Sequence, residues 1–278
     1  MKNFAITTLI ISDEAKSMLK SFGLASFQDF MDYSGGELIC HKRGRSTVRL
    51  QIGDRAFYLK RNRFHCVEFL KGLSRLRLPP RGALQEWRNI KLVQQAGIAT
   101  VPPIAFGEQP ILGLETCSFS MTEELYGCIP LDQLLRANFS GTLSGPQRQR
   151  KQHLIRRVGI LARQLHGAGL FHRDFYLSHV FVSPKDALQL IDLQRILCRP
   201  LRARHFRIKD LAQLNYSASR IPGITRSDRL RLLLAYLDRN SLLDKDKLLV
   251  RAVQKKTDRI ARHDVKLLAR RRRRGELP

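Results

Sequence analysis

LHGAGLFHRDFYLSHVFV, residues 165–182, and LIDLQ, residues 190–194, decide how the rest of this chain is read. A helical end runs into a glycine-containing turn. His172-Arg173-Asp174 follows, then four residues of turn, His179 and an apolar strand. A second apolar strand ends on Asp192, which stands 18 residues after Asp174. This order places one carboxylate on a loop and a His and an Asp on the strands that follow.

That layout resembles the catalytic loop of protein-kinase-like folds. HRDFYLSH followed by LIDLQR resembles one branch of them more closely, the lipopolysaccharide core heptose kinases, also called Kdo/lipopolysaccharide kinases. In protein kinases the position five after the Asp is Asn; in this family it is typically His, and here it is His179. HRD alone occurs by chance, whereas HRD with His five on and Asp 18 on, each in strand context, is specific. Glu86-Trp87 with GIATVPP after it, and GITRSDRLRLL from Gly223, also resemble the family. The resemblance covers most of the chain and is weakest in residues 1–36 and 61–82.

The resemblance implies a two-lobed protein-kinase-like α+β fold. Residues 1–125 would form a nucleotide-binding N-lobe around an antiparallel sheet. Residues 126–278 would form a mainly helical C-lobe with the catalytic loop and the acceptor site. The implied activity is ATP-dependent phosphorylation of a lipopolysaccharide inner-core sugar, heptose foremost, on the cytosolic face of a Gram-negative inner membrane. Asp174 would orient and deprotonate a sugar hydroxyl. Asp192 would chelate Mg²⁺, and His179 would take the second ligand position, directly, through water, or with Mn²⁺ in place of Mg²⁺. Lys60, at the end of the strand FYLKR, would reach the ATP phosphates with Glu86 as its ion-pair partner. Gly44 lies in the turn expected over the nucleotide. Glu123 and Leu125 lie in the hinge whose backbone would meet adenine. Arg173 and Asp210 would brace the catalytic loop.

The departures from protein kinases matter as much. The turn His41–Ser46 has one glycine, not a full GxGxxG; Arg43 and Arg45 could meet phosphate there, or the turn is an ordinary basic hairpin. Leu193-Gln194 follows Asp192 where a DFG glycine would be, and no APE-like segment follows. Only 18 residues separate Asp192 from Asp210, little room for a peptide-docking platform. That favours a small or glycolipid acceptor. Tyr176 replaces the Lys that serine/threonine kinases carry two residues after the Asp, which puts γ-phosphate contact by that route in doubt.

The 278 residues suffice for one large core or two lobes, and 43% hydrophobic with 27% charged residues argues against disorder. The net charge of +26 attracts polyanions: nucleic acid, anionic membrane, phosphorylated glycolipid or an acidic protein. Interleaved aromatics for base stacking are not evident, so no specific nucleic acid is expected. Cys40, Cys66, Cys117, Cys128 and Cys198 include no CxxC pair, which argues against zinc; they read as buried free thiols in a reducing compartment. The apolar run Phe4–Ile11 is short and meets Asp13-Glu14, which suits a strand rather than an export signal. No run approaches the length of a membrane span. A cytoplasmic protein, or one peripheral to the inner face of the inner membrane, is expected.

Alternation predicts strands over Glu37–His41, Thr47–Ile52, Arg55–Lys60, Val101–Phe106 and Thr116–Thr122. Helices are expected over 83–96, with Leu84, Trp87, Ile90 and Val93 as its apolar stripe, and from Ile129, over Gln147–Gly167, from Arg207, over 223–240 with an N-cap near Ser227, and over 247–274. Residues 61–82 suit a basic amphipathic insert on an anionic bilayer, or a helix packing by its leucines. His166 reads as a packing residue. Two rivals stand beside the heptose kinase: a kinase of this fold acting on Kdo, another sugar or protein, and a basic non-catalytic scaffold.

Overall fold

The computed structural model describes residues 7–42, 44–63, 83–111 and 114–275. Arg43, Cys66 and residues 64–82, most of the basic insert, lie outside the described residues. The chain divides into two compact units, Met1–Gln94 with Thr100–Tyr126, and Gln95–Ala99 with Gly127–Pro278. The fold is α+β, with an antiparallel sheet in the first unit.

The first unit is built on six strands: β1 (Thr8–Ile11), β2 (Glu37–Lys42), β3 (Arg45–Ile52), β4 (Arg55–Arg63), β5 (Pro103–Ile111) and β6 (Leu114–Glu123). Their spatial order is β1-β5-β6-β4-β3-β2, every pairing antiparallel. Alternation sorts the side chains to two faces. Leu50, Phe57, Leu59, Ala105, Phe119 and Met121 bury against Leu19 of α1 (Lys16–Ser21) and Phe27, Phe30 and Met31 of α2 (Phe27–Asp32). Phe30 stacks on Phe119 with ring centroids 4.3 Å apart. Lys60, Ser120 and Phe106 lie in register on neighbouring strands. There they meet α3 (Ala83–Gln95): Trp87 packs on Phe106 with centroids 5.1 Å apart.

Several boundaries move from those expected. β4 continues to Arg63, so Lys60 lies inside a strand and not at its end; pairing with both β3 and β6 carries it on. The buried stripe of α3 is Ala83, Glu86, Asn89, Ile90 and Val93, with Leu84 and Trp87 only half-buried. Ile90 and Val93 belong to the expected stripe, but two of the five are polar, so hydrophobic periodicity finds only part of the buried face. Cys40 and Cys198 are exposed, and Cys117 and Cys128 half-buried, contrary to the expectation of buried thiols. Cys40 lies on β2, the edge strand of the sheet among the described residues.

The second unit is organised by the long helix α5 (Gly145–Gly167), capped by Ser144 and Gln147 and buried through Leu154, Val158, Leu161 and Leu165. It is preceded by β7 (Ile129–Pro130) and α4 (Leu131–Phe139), so Ile129 opens a short strand and not a helix. β8 (Leu170–Phe171), β9 (Val180–Val182), β10 (Leu188–Leu190) and β11 (Leu197–Cys198) follow. β9 lies between β10 and β7, and β8 pairs with β11. Three helices close the unit: α6 (Ala203–Ser219), α7 (Arg226–Leu237) and α8 (Asp246–Arg273). The N-cap of α7 is Thr225 rather than Ser227, because Thr225 and Asp228 exchange the hydrogen bonds of a capping box.

α7 crosses α5 at Gly159, where a Cβ would come within 2.3 Å of the Leu232 carbonyl oxygen. A Gly159→Val substitution forces these helices apart. We expect it to destabilise the second unit by about 3 kcal/mol, the upper range for overpacking, read as a lowered melting temperature by differential scanning calorimetry.

Candidate functional site

α6 presents a row of polar groups to the loop that carries Asp174. Asp210 is fully buried. Its Oδ2 accepts the His172 N–H and its Oδ1 the Arg173 N–H, each at 2.8 Å. One turn on, Gln213 accepts the Phe175 N–H at 3.0 Å and donates to the Arg173 carbonyl at 3.0 Å. One turn further, the Ser217 hydroxyl accepts the Leu177 N–H at 3.2 Å. Residues 210, 213 and 217 share one face of a helix. The loop is laid along that face, and Arg173 is held at φ 70°, in the left-handed region. His166 closes the network: Nε2 lies 3.3 Å from Asp210, Nδ1 lies 3.1 Å from the Tyr236 hydroxyl, and the ring stacks on Phe171.

The same loop is tied to the strand that delivers Asp192. His172 is buried, and burial, outweighing the neighbouring carboxylates, lowers its pKa. Its Nε2 donates to the Ile191 carbonyl at 3.1 Å. Ile191 in turn donates its N–H to the His179 carbonyl at 3.0 Å. With its predecessor held at both polar groups, Asp192 sits at φ 55° and ψ 54°. The Nδ1 of His179 lies 2.8 Å from the Asp174 carbonyl oxygen. A carbonyl only accepts, so Nδ1 carries the proton and Nε2 keeps its lone pair, the form a metal requires.

Asp174 itself is half-buried and faces two cations. Arg195 Nη1 donates to its Oδ2 at 2.7 Å, and Lys209 Nζ lies 4.0 Å from Oδ1 while donating to the Arg173 carbonyl. Neither cation was singled out by sequence. Arg195 follows Asp192 by three residues, and Lys209 precedes Asp210 directly; proximity to two marked aspartates was the available signal. Gln213 and Ser217 could have been found as polar residues at helical spacing from Asp210.

In the first unit, Lys60 Nζ donates to Glu86 Oε1 at 2.8 Å, and the Ser120 hydroxyl donates to Oε2 at 2.8 Å. Glu86 is buried; burial acts to raise its pKa, but the charge and hydrogen bond of Lys60 and the Ser120 hydroxyl outweigh it and hold it below the ordinary value. Gly44 lies at φ 69° in the turn between β2 and β3, and its carbonyl accepts the Arg63 N–H at 2.6 Å. The Glu123 N–H is bonded to the Pro102 carbonyl and the Glu124 N–H to that of Ala56. Those amides therefore belong to the sheet and its edge. The side chains of both are neutralised by arginines the sequence did not reveal, Glu123 by Arg55 at 2.6 Å and Glu124 by Arg49 at 2.6 Å. Leu125 is half-buried beyond them.

Among the described residues no cluster of three or more His, Cys, Asp and Glu side chains is poised to hold a metal. Asp192 and the Nε2 of His179 offer one carboxylate and one lone-pair nitrogen, the donor types a divalent ion would take there.

Residues 37–236 match the family described as Lipopolysaccharide kinase (Kdo/WaaP) family. The lipopolysaccharide core heptose(I) kinase WaaP of Pseudomonas aeruginosa is 34% identical over 212 residues, which cover 73% of this chain and 78% of that protein. The protein of the same name from Escherichia coli K12 is 32% identical over 209 residues, covering 72% and 77%. A solved structure titled WaaP in complex with acyl carrier protein superposes with a TM-score of 0.71 at 27% identity, over 91% of this chain and 98% of that one.

The Lys60–Glu86 pair gives the first unit an acid-sensitive element. Because the folded pKa of Glu86 lies below its unfolded value, the pair's contribution is fully present above about pH 4.3. It is lost as pH falls through the lowered folded value. Glu86→Gln is expected to melt below the wild type at pH 7, with the gap closing as pH falls below about 4.3 when thermal unfolding is followed against pH.

Proposed function

The chain belongs to the Lipopolysaccharide kinase (Kdo/WaaP) family, and from that premise we propose that it transfers the γ-phosphate of ATP to an inner-core heptose of lipopolysaccharide. The observation that carries the assignment of roles is the grip of Asp210 on the backbone of His172 and Arg173, which presents Asp174 at a defined position. In this reading Asp174 accepts a hydrogen bond from the heptose hydroxyl and takes its proton as the oxygen attacks the γ-phosphorus. Positioning dominates, because phosphoryl transfer builds little charge on the nucleophile. Asp192 and the Nε2 of His179 hold the metal, for which Mg²⁺ is the first choice and Mn²⁺ suits the nitrogen ligand. A divalent ion bound there neutralises charge on the triphosphate. Lys60, aimed by Glu86, takes the nucleotide's inner phosphates, and the Glu123–Leu125 hinge, through backbone groups other than the Glu123 and Glu124 amides, holds the rest of ATP with the Gly44 turn. Arg173 serves the loop's geometry.

The glycolipid acceptor is supported by the segment after Asp192. It consists of a single turn over Leu193–Arg195, the two-residue β11 and a short turn before α6. A protein substrate has little to lie on there. The net charge of +26 suits an acceptor that is itself anionic, and α8 ends in exposed arginines, Arg270–Arg273. The same charge suits peripheral contact with an anionic leaflet and docking of an acidic protein, of which acyl carrier protein is the instance named for the neighbouring structure. Among the described residues no helix is long and apolar enough to cross a membrane. We place the activity on the cytoplasmic face of the inner membrane.

The test is transfer of labelled γ-phosphate from ATP and Mg²⁺ to inner-core lipopolysaccharide lacking phosphate, beside a generic protein substrate. The glycolipid should carry the label. Asp174→Asn should lower the rate by about 10²–10⁴-fold, and Asp192→Ala should abolish transfer. Label in the protein substrate alone would contradict the reading.

A further inference from the structure

Tyr176 leaves the catalytic loop without the lysine that serine/threonine kinases place two residues after the aspartate. Its ring packs edge-on against His179, with centroids 6.2 Å apart. The position is therefore filled by an aromatic group. On the phosphotransferase reading above, we propose that Lys209, carried by α6, supplies the missing cation and contacts the phosphoryl group as it passes to the acceptor.

Four observations carry this. Lys209 stands next to Asp210, so the residue that grips the loop also fixes the base of the lysine side chain. Its ammonium donates to the carbonyl of Arg173, the residue before the catalytic aspartate. Its distance of 4.0 Å from Asp174 Oδ1 is too long for a hydrogen bond. An ammonium has three donors, and the Arg173 carbonyl takes one. At 4.0 Å the two groups are close enough for one oxygen to hydrogen-bond both.

Burial supports the assignment. The Lys209 side chain is 20% exposed, and desolvation lowers its pKa against the raising effect of Asp174. An anion arriving beside it relieves that cost. Arg195 differs: it already bonds Asp174 directly at 2.7 Å, and its side chain is 51% exposed. Lys209 is the fixed cation of the pair.

In the transfer step the acceptor hydroxyl oxygen forms a bond to the γ-phosphorus while the bond from that phosphorus to the bridging oxygen of ATP breaks. ADP leaves with that electron pair, and the hydroxyl proton passes to Asp174. Lys209 hydrogen-bonds a non-bridging oxygen of the transferring group as that group moves toward the acceptor, a contact made at the transition state and not in bound ATP. Its contribution should therefore fall on kcat rather than on ATP binding.

The experiment measures steady-state transfer from ATP to phosphate-free inner-core lipopolysaccharide by wild type, Lys209→Met and Lys209→Arg, with melting temperatures recorded in parallel. Lys209→Met should lose about 10²-fold in kcat, with KM for ATP and melting temperature near wild type. Lys209→Arg should regain at least about a tenth of the wild-type kcat, because it restores a charge-assisted donor. Wild-type kcat in Lys209→Met would overturn the proposal. So would equal losses in both variants with a matching fall in melting temperature, which would make Lys209 structural. Absence of transfer by the wild-type protein would instead remove the kinase reading, and this role with it.

Discussion

The carboxylate of Asp210 is the constraint on which the catalytic segment depends. A fully buried carboxylate is costly unless its oxygens are satisfied. Here two consecutive backbone N–H groups satisfy it, those of His172 and Arg173. The exchange works in both directions. Arg173 is in the left-handed region, which costs a non-glycine residue roughly 1–2 kcal/mol, and the Asp210 hydrogen bonds offset that strain. Gln213 and Ser217 extend the same contact over the next turns of α6, so the loop is fixed by one helix face along residues 172–177.

From that anchor the geometry propagates to the second aspartate. His172 reaches from the fixed loop to the Ile191 carbonyl, and the His179 carbonyl takes the Ile191 N–H. Asp192 is thereby delivered in a backbone conformation that a chain without those ties would avoid. The Asp174 carbonyl sets the tautomer of His179. One buried network therefore governs three things at once: where Asp174 stands, how Asp192 is turned, and which nitrogen of His179 bears a lone pair. The two strained residues flank the chemistry, as expected where rigidity serves positioning.

The sequence disclosed what is local and missed what crosses between elements. Asp174 and His179 could be picked out because the loop between β8 and β9 fixes their spacing, and Asp192 because it follows the next short strand; Asp210 lies beyond them on α6, where resemblance marked it. The strands of the first unit were legible from alternation at Val48, Leu50, Phe57 and Leu59. Glu86 could be named only through resemblance; as a buried carboxylate it disturbs the periodicity that would locate its face. Arg49, Arg55, Arg195 and Lys209 were hidden among 50 lysines and arginines, where only tertiary contact tells a site cation from a solvated one. Cys40 was misread because an apolar run says nothing about whether its strand lies at a sheet edge.

Identity of the acceptor is the central claim, since fold and loop geometry alone would serve any alcohol. It is tested most directly by locating the new phosphate on core oligosaccharide after turnover, using mass spectrometry and phosphorus NMR. The account predicts a single added phosphate on an inner-core heptose. Phosphate on Kdo, or on no sugar at all, would contradict it.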